Sequence, residues 1–184
     1  MAGTVHDLLA DGLSGWRMAG QGGFVLVDGA AESRGGHGLL WYAPAVFGDF
    51  DLTVEWRTQG PYDNSGVFLR IPPLADDPAP AIAEGYEVQI DDRGVAPDGS
   101  LDSPLHLTGA IYTLAPALAR AFRPMGEWNL FEIAARGPAI AVRLNGVPVS
   151  RLDHGDRRTA GHVAIQAHHE GSRVQFRTLR LVPC

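Results

Sequence analysis

Three features of the sequence predict an all-β protein of the sandwich type. Apolar and polar residues alternate at period two in one short run after another, the pattern of strands with one buried face. Gly and Pro, 23 and 13 in number, are spread along the chain and cut these runs apart. An Asn145-Gly146 pair between two alternating runs marks a tight hairpin, because both residues accept positive φ. About ten strands separated by turns form a β-sandwich (jelly roll) of two antiparallel sheets.

Taken in order, "FVLVDG" (24–29) and "GLLWYAP" (38–44) are the first strands. In "DFDLTVEWR" (49–57), Phe50, Leu52, Val54 and Trp56 share one face, with Asp51, Thr53, Glu55 and Arg57 on the other. In "NSGVFLRIP" (64–72), Ser65, Val67, Leu69 and Ile71 oppose Asn64, Gly66, Phe68 and Arg70. "GYEVQID" (85–91) sets Tyr86, Val88 and Ile90 against Glu87, Gln89 and Asp91. "WNLFEIAARG" (128–137) and "IAVRLNGVPVSRL" (140–152) supply three more strands, the last two joined at Asn145-Gly146. "GHVAIQAHHEG" (161–171) places His162, Ala164, Gln166 and His168 together, and "VQFRTLRLVP" (174–183) ends the fold. A short helix is expected at "SLDSPLHL" or "APALARAF", both interrupted by proline. "PPLADDPAPAIAEG" (72–85) reads as a long Pro/Ala loop of the kind that rims a site. Core packing is expected for Trp56 and Trp128.

With 184 residues, one domain spanning 1–184 is expected, large enough for a two-layer core. A formal net charge of −6 argues against nucleic acid or an anionic membrane as partner. Cys184 is the sole cysteine, so neither an intrachain disulfide nor a cysteine zinc site is expected. The opening "MAGTVHDLLADGLSGW" lacks a basic start followed by a long apolar run, and no segment has the length of a membrane span, so a cytoplasmic protein is expected.

Alternation alone leaves two readings of the polar faces, a solvated surface or a site. The residues favour a site: Glu55, Asn64, Phe68, Arg70, Glu87, Gln89, Gln166 and His168 are carboxylates, amides, a guanidinium, an imidazole and an aromatic, with few lysines. Such groups fix sugar hydroxyls and stack on sugar faces. The acidic segment "DDRGVAPDGSLD" (91–102) lacks the pattern of a calcium loop and reads as an acidic surface turn. The glycines of "RGGHG" do not both follow a strand and open a helix, so they are no phosphate cradle.

The blocks "NSGVFLR", "GYEVQIDD", "TGAIY" (108–112), "GEWNLFEI" (126–133), "LNG" (144–146), "GHVAIQAHH" and "VQFRTLRL", in this order, resemble the 3-keto-disaccharide hydrolase domain family across essentially the whole chain. The resemblance implies a concanavalin A-like jelly roll with a concave, carbohydrate-binding polar sheet, and glycoside chemistry on sugars oxidised at C3. A C3 ketone acidifies the C2 hydrogen: a base removes it, the enolate expels the C1 substituent, and water adds to the unsaturated product. The residues expected to act are Glu87 as base or metal ligand, His168 as acid or polariser of the C3 oxygen, and Arg70 holding the enolate or pairing with Glu87. Glu55, Asn64, Phe68, Gln89 and Gln166 are expected to bind the sugar. Glu55 on a strand next to Glu87 would also suit an ordinary two-carboxylate hydrolase. Glu87, Asp91 and His168 are adequate ligands for Mn²⁺, Zn²⁺ or Ca²⁺. The alternative is a carbohydrate-binding module without catalysis.

Overall fold

The computed structural model describes residues 4–184; the first three residues of the N-terminal stretch lie outside it. The strands are β1 (His6–Asp7), β2 (Trp16–Gly20), β3 (Gly23–Val27), β4 (Ala30–Arg34), β5 (Gly38–Tyr42), β6 (Phe50–Thr58) and β7 (Ser65–Ile71). After the helix α1 (Ala79–Glu84) come β8 (Tyr86–Ile90), β9 (Asn129–Arg136), β10 (Ala139–Leu144), β11 (Val147–Leu152), β12 (His162–Ala167) and β13 (Val174–Pro183). They form two antiparallel sheets, one ordered β11-β10-β9-β6-β13-β4-β3 with β1 also on β13, the other β2-β5-β12-β7-β8. The protein is a β-sandwich, as the alternation predicts.

The core lies between the sheets. Phe50, Leu52, Val54 and Trp56 of β6 face Val67 and Leu69 of β7, Val88 and Ile90 of β8, and Val163 and Ile165 of β12 across it, all buried. Trp56 tilts against Phe131 with ring centroids 5.2 Å apart. Burying each such side chain contributes roughly 1.5–3 kcal/mol, the dominant favourable term here. Asn145 and Gly146 have φ of 52° and 82°, the left-handed pair that joins β10 to β11 in a tight hairpin.

Several expectations are corrected. The strands β1, β2 and β4 were not predicted: β1 has only two residues, and "AAESR" in β4 has neither β-branched residues nor alternation. Neither "SLDSPLHL" nor "APALARAF" is helical; the helix is α1, inside the expected Pro/Ala loop, with a proline in its first turn where the missing N–H costs nothing. Trp128 is half-buried on the outside of the larger sheet, its ring 4.6 Å from the Arg57 guanidinium and 4.2 Å from that of Arg177.

The most consequential departure is a bulge in β7. His162 of β12 pairs with Ile71, yet Ala164 pairs with Phe68, so β7 carries one residue more than its partner. Arg70 takes up the excess with φ of 55°. Gly161 accommodates it, since a β-carbon there would stand 2.3 Å from the Arg70 carbonyl carbon. The bulge resets the alternation: Leu69 packs between the sheets, while Ile71 joins Phe68 on the outer face.

Candidate functional site

The outer face of the five-stranded sheet has two halves. On one, Leu39, Trp41, Phe68, Ile71 and Ala164 form an apolar cluster covered by Leu74 and by Ala81 of α1. On the other a cavity of about 290 Å³ opens, walled by Asn64, Glu87, Gln89, Gln166 and His168 together with His37, Arg93 and Tyr112. Period two explains why the predicted residues meet: Glu87 and Gln89 alternate on β8, Gln166 shares the outer face of β12, and Asn64 stands at the entry to β7.

Glu87 forms the floor. Phe68 lies opposite it and Gly66 opposite Gln89 in the β7–β8 register. A β-carbon at Gly66 would stand 2.2 Å from Glu87 Oε1, so only glycine leaves room for the carboxyl group. With its amide nitrogen turned toward acceptors, Gln89 donates to Glu87 Oε1 at 3.1 Å and to the Ser65 carbonyl at 3.3 Å. No cation pairs with Glu87 among the described residues, and burial pushes its pKa up to about 8.

The histidines lie opposite in character. β12 ends at Ala167, so strand alternation does not separate His168 from His169, and both line the cavity. Their Nδ1 atoms are 3.0 Å apart, an arrangement that needs one nitrogen bare and so opposes protonation of both rings. Burial, then His169 and His37, lower the His168 pKa to about 4. His37 comes from the β4–β5 turn, its ring centroid 6.2 Å from that of His168.

Asn64 is fixed by its backbone, its N–H donating to Ser172 Oγ at 3.0 Å while that hydroxyl donates to the Asn64 carbonyl at 2.9 Å. Its side-chain nitrogen donates to Asp91 Oδ2 at 3.2 Å. Asn64 Oδ1 and Gln166 Oε1 are buried with no hydrogen-bond partner among the described residues, two unmet acceptors on residues that line the cavity.

Asp91 is fully buried and is no part of a solvated turn: it accepts from the backbone N–H groups of Arg93 at 3.0 Å and Val95 at 3.1 Å, folding that segment into a wall of the cavity. This commitment breaks the expected ligand set Glu87, Asp91 and His168. Among the described residues no group of three or more His, Cys, Asp or Glu is placed to hold a metal ion.

Arg70 and Glu55 do not join the site. The Arg70 side chain crosses to the ends of β6 and β9 in the larger sheet, donating to the carbonyls of Gly48 (3.0 Å) and Gly137 (2.5 Å) and to Asp49 Oδ1 (3.0 Å). Glu55 lies on the other sheet altogether, on β6, so the neighbouring-strand pair with Glu87 does not form. Phe68 is buried in the apolar cluster.

Three polar walls escaped the sequence reading. Arg93 supplies the guanidinium expected of Arg70, with Nε 3.9 Å from Asp91 Oδ1. Tyr112 arrives on 108–112, which pairs along the outer edge of β8: Gly109 N–H donates to the Gln89 carbonyl (2.9 Å), Gln89 N–H to that of Ala110 (3.0 Å) and Tyr112 N–H to that of Glu87 (2.8 Å). Burial and then the Glu87 and Asp91 carboxyl groups raise the Tyr112 pKa. His37 and Arg93 sit in turns with no periodicity to place them; for Tyr112 the one available signal was that "TGAIY" is a block of the family resemblance.

A jelly-roll sandwich with a polar cleft on one sheet defines a protein of the concanavalin A and galectin architectural class. The family profile described as a 3-keto-α-glucoside-1,2-lyase-like domain matches residues 6–182, and the chain belongs to that family. Among solved structures, a Parabacteroides distasonis protein named provisionally as a glycosyl hydrolase superposes with a TM-score of 0.81 at 21% identity, covering 98% of this chain and 100% of that one. A carbohydrate-binding module from Bacillus subtilis gives 0.62 at 12% identity, over 90% and 94% of the two chains. The exoplasmic/lumenal domain of VIP36, crystallised with Ca²⁺ and mannose, gives 0.57 at 14%, over 91% and 82%. No curated protein matches the sequence.

Proposed function

We propose that the protein cleaves 3-keto-glycosides by elimination across C1 and C2, followed by hydration. Membership of the family and the sugar-handling neighbours support a glycosidase or carbohydrate-binding role. The observation that carries the finer reading is the meeting, on one cavity, of a buried carboxyl group without a cation and an imidazole that burial keeps neutral.

At pH 7 these groups have the protonation states of an acid and a base, with the roles exchanged relative to the sequence expectation: Glu87 holds a proton and His168 is free to accept one. His168 takes the C2 proton, and the electron pair moves toward C3, placing charge on the C3 oxygen. Arg93 is the permanent cation of the cavity and stabilises that enolate. The enolate collapses to a C1=C2 double bond as the C1–O bond breaks, and Glu87 protonates the departing oxygen. Water then adds, hydroxyl to C1 and hydrogen to C2: the Glu87 carboxylate takes the water proton, and protonated His168, having exchanged its proton with solvent when the leaving group departs, delivers one to C2. Both groups end as they began. Asn64 and Gln166, whose side-chain oxygens lack a partner among the described residues, turn to accept from sugar hydroxyls.

The test is incubation with 3-keto-trehalose in D₂O, with and without EDTA, following release of 3-keto-glucose. Release that survives the chelator, with deuterium at C2 above an enzyme-free control, is expected. Release without C2 deuterium means direct hydrolysis, and sugar binding with no release means a carbohydrate-binding module.

A further inference from the structure

The cavity described above is one of two that meet at Glu87. A second, of about 180 Å³, lies beyond Glu87 and Tyr112 and is completed by Phe68, Ile82, Thr113 and Arg157. Glu87, Tyr112 and Ile82 line both, so the floor carboxyl group stands on the boundary between two compartments.

The compartments differ chemically. The larger carries amides, imidazoles and the Arg93 guanidinium. The smaller has two aromatic walls, Phe68 and the shared Tyr112, one aliphatic wall, Ile82 of α1, and a single cation, Arg157, among the described residues. That cation is held firmly: its Nη1 donates to the carbonyls of Ile82 (3.0 Å) and Gly85 (2.8 Å), and its backbone N–H to the Tyr86 hydroxyl (2.8 Å). Among the described residues only Nη1 of the guanidinium is engaged, leaving further donors for a ligand. The size is below the ~300 Å³ at which clefts for drug-sized ligands begin, enough for one ring and not for a chain.

The remaining wall is strained. Thr113 has φ of 61°, a left-handed conformation that a β-branched residue rarely adopts, held by its N–H on the Leu105 carbonyl (3.2 Å) and its hydroxyl on the Tyr112 carbonyl (2.7 Å). Strain of this kind persists where surrounding structure enforces it, typically at ligand sites.

We infer that the smaller compartment is the leaving-group subsite: it receives a single six-membered ring with an apolar face, attached through the glycosidic oxygen that sits over Glu87. This assignment rests on the elimination reading, in which Glu87 protonates that oxygen. A pyranose and an aryl ring share the required face; the free nitrogens of Arg157 favour the hydroxyl-bearing pyranose.

Three substrates with the same 3-keto-glucosyl group and methyl, phenyl or glucosyl leaving groups separate the possibilities, each tested against wild type and Thr113→Trp, which fills the compartment from an exposed position. A melting curve identifies a folded variant, and Thr113→Phe replaces it if Trp unfolds the protein. The expected result is a fall of at least tenfold in kcat/KM for the ring-bearing substrates relative to the methyl glycoside, larger for glucosyl than for phenyl. A larger fall for phenyl makes the ring an aryl group and overturns the pyranose preference. Turnover of all three with unchanged ratios overturns the subsite alone. No turnover of any by wild type overturns the elimination reading and the subsite with it.

Discussion

The outer faces of the two sheets are built from the same residue types and come to opposite ends. On the eight-stranded sheet, Arg177 grips Glu55 with two hydrogen bonds, Nε to Oε2 at 3.1 Å and Nη2 to Oε1 at 2.6 Å, and Thr178 adds a third at 2.6 Å. Arg57 donates to Gln175 Oε1 at 2.7 Å, Gln175 donates onward to Glu32, and both arginines stack on Trp128. Each group there answers another, and the Arg177 hydrogen bond lowers the Glu55 pKa. On the five-stranded sheet, Glu87 has no cation among the described residues, buried amide oxygens lack partners there, and burial drives the Glu87 pKa the other way. Residue type does not make a site; unmet bonding capacity in a buried place does.

The comparison breaks most sharply at Glu87. Glu87→Gln keeps the shape and removes the carboxyl proton that the proposed mechanism uses, so turnover of a 3-keto-glycoside is expected to fall by about 10²–10⁴ with sugar binding retained. Turnover at the wild-type rate would remove Glu87 from the chemistry. Gly66→Ala comes next: its β-carbon displaces the Glu87 carboxyl group, with a predicted loss of turnover and about 1–3 kcal/mol of stability in chemical denaturation.

Arg70→Ala takes the guanidinium from the half-buried carbonyls of Gly48 and Gly137 and from Asp49 and empties a fully buried side-chain position, and about 3 kcal/mol of stability is expected to go with KM unchanged. A selective rise in KM would return Arg70 to the site.

A pH series sharpens the contrast. The folded-state pKa of Glu87 is raised, so the stability it contributes is fully present below its unfolded value of 4.5 and is lost as pH climbs through about 8. His168 has a lowered pKa, so its contribution grows between about 4 and its unfolded value of 6.5, offsetting the Glu87 loss there. The loss then shows between pH 6.5 and 8, on the order of 2 kcal/mol, and Glu87→Gln is expected to abolish it. The smallest effect belongs to the other sheet: Glu55→Gln is expected to cost under about 1 kcal/mol, with turnover unaltered.

Legibility follows the same physics. Where the backbone is a regular strand, period two assigns faces, and Glu87, Gln89 and Gln166 could be set together from the sequence. That period fails at Arg70, because a bulge at a non-glycine residue leaves no local signature. It also ends at Ala167, which hid His169. His37, Arg93 and Tyr112 stand on turns and an edge segment whose positions follow from long-range pairing. The helix α1 was hidden by its brevity and its prolines. Glu55 and Glu87 look alike along the chain; only the strand order puts them on different sheets.

The segment that brings Tyr112 to Glu87 also closes the outer edge of β8 by backbone hydrogen bonds. An uncovered edge strand invites pairing with a second chain and is a route to aggregation. A change that frays 108–112 therefore exposes the most adhesive line of the smaller sheet as it removes Tyr112. Such variants are expected in the insoluble fraction, so solubility is the first sign that this wall of the cavity has been lost.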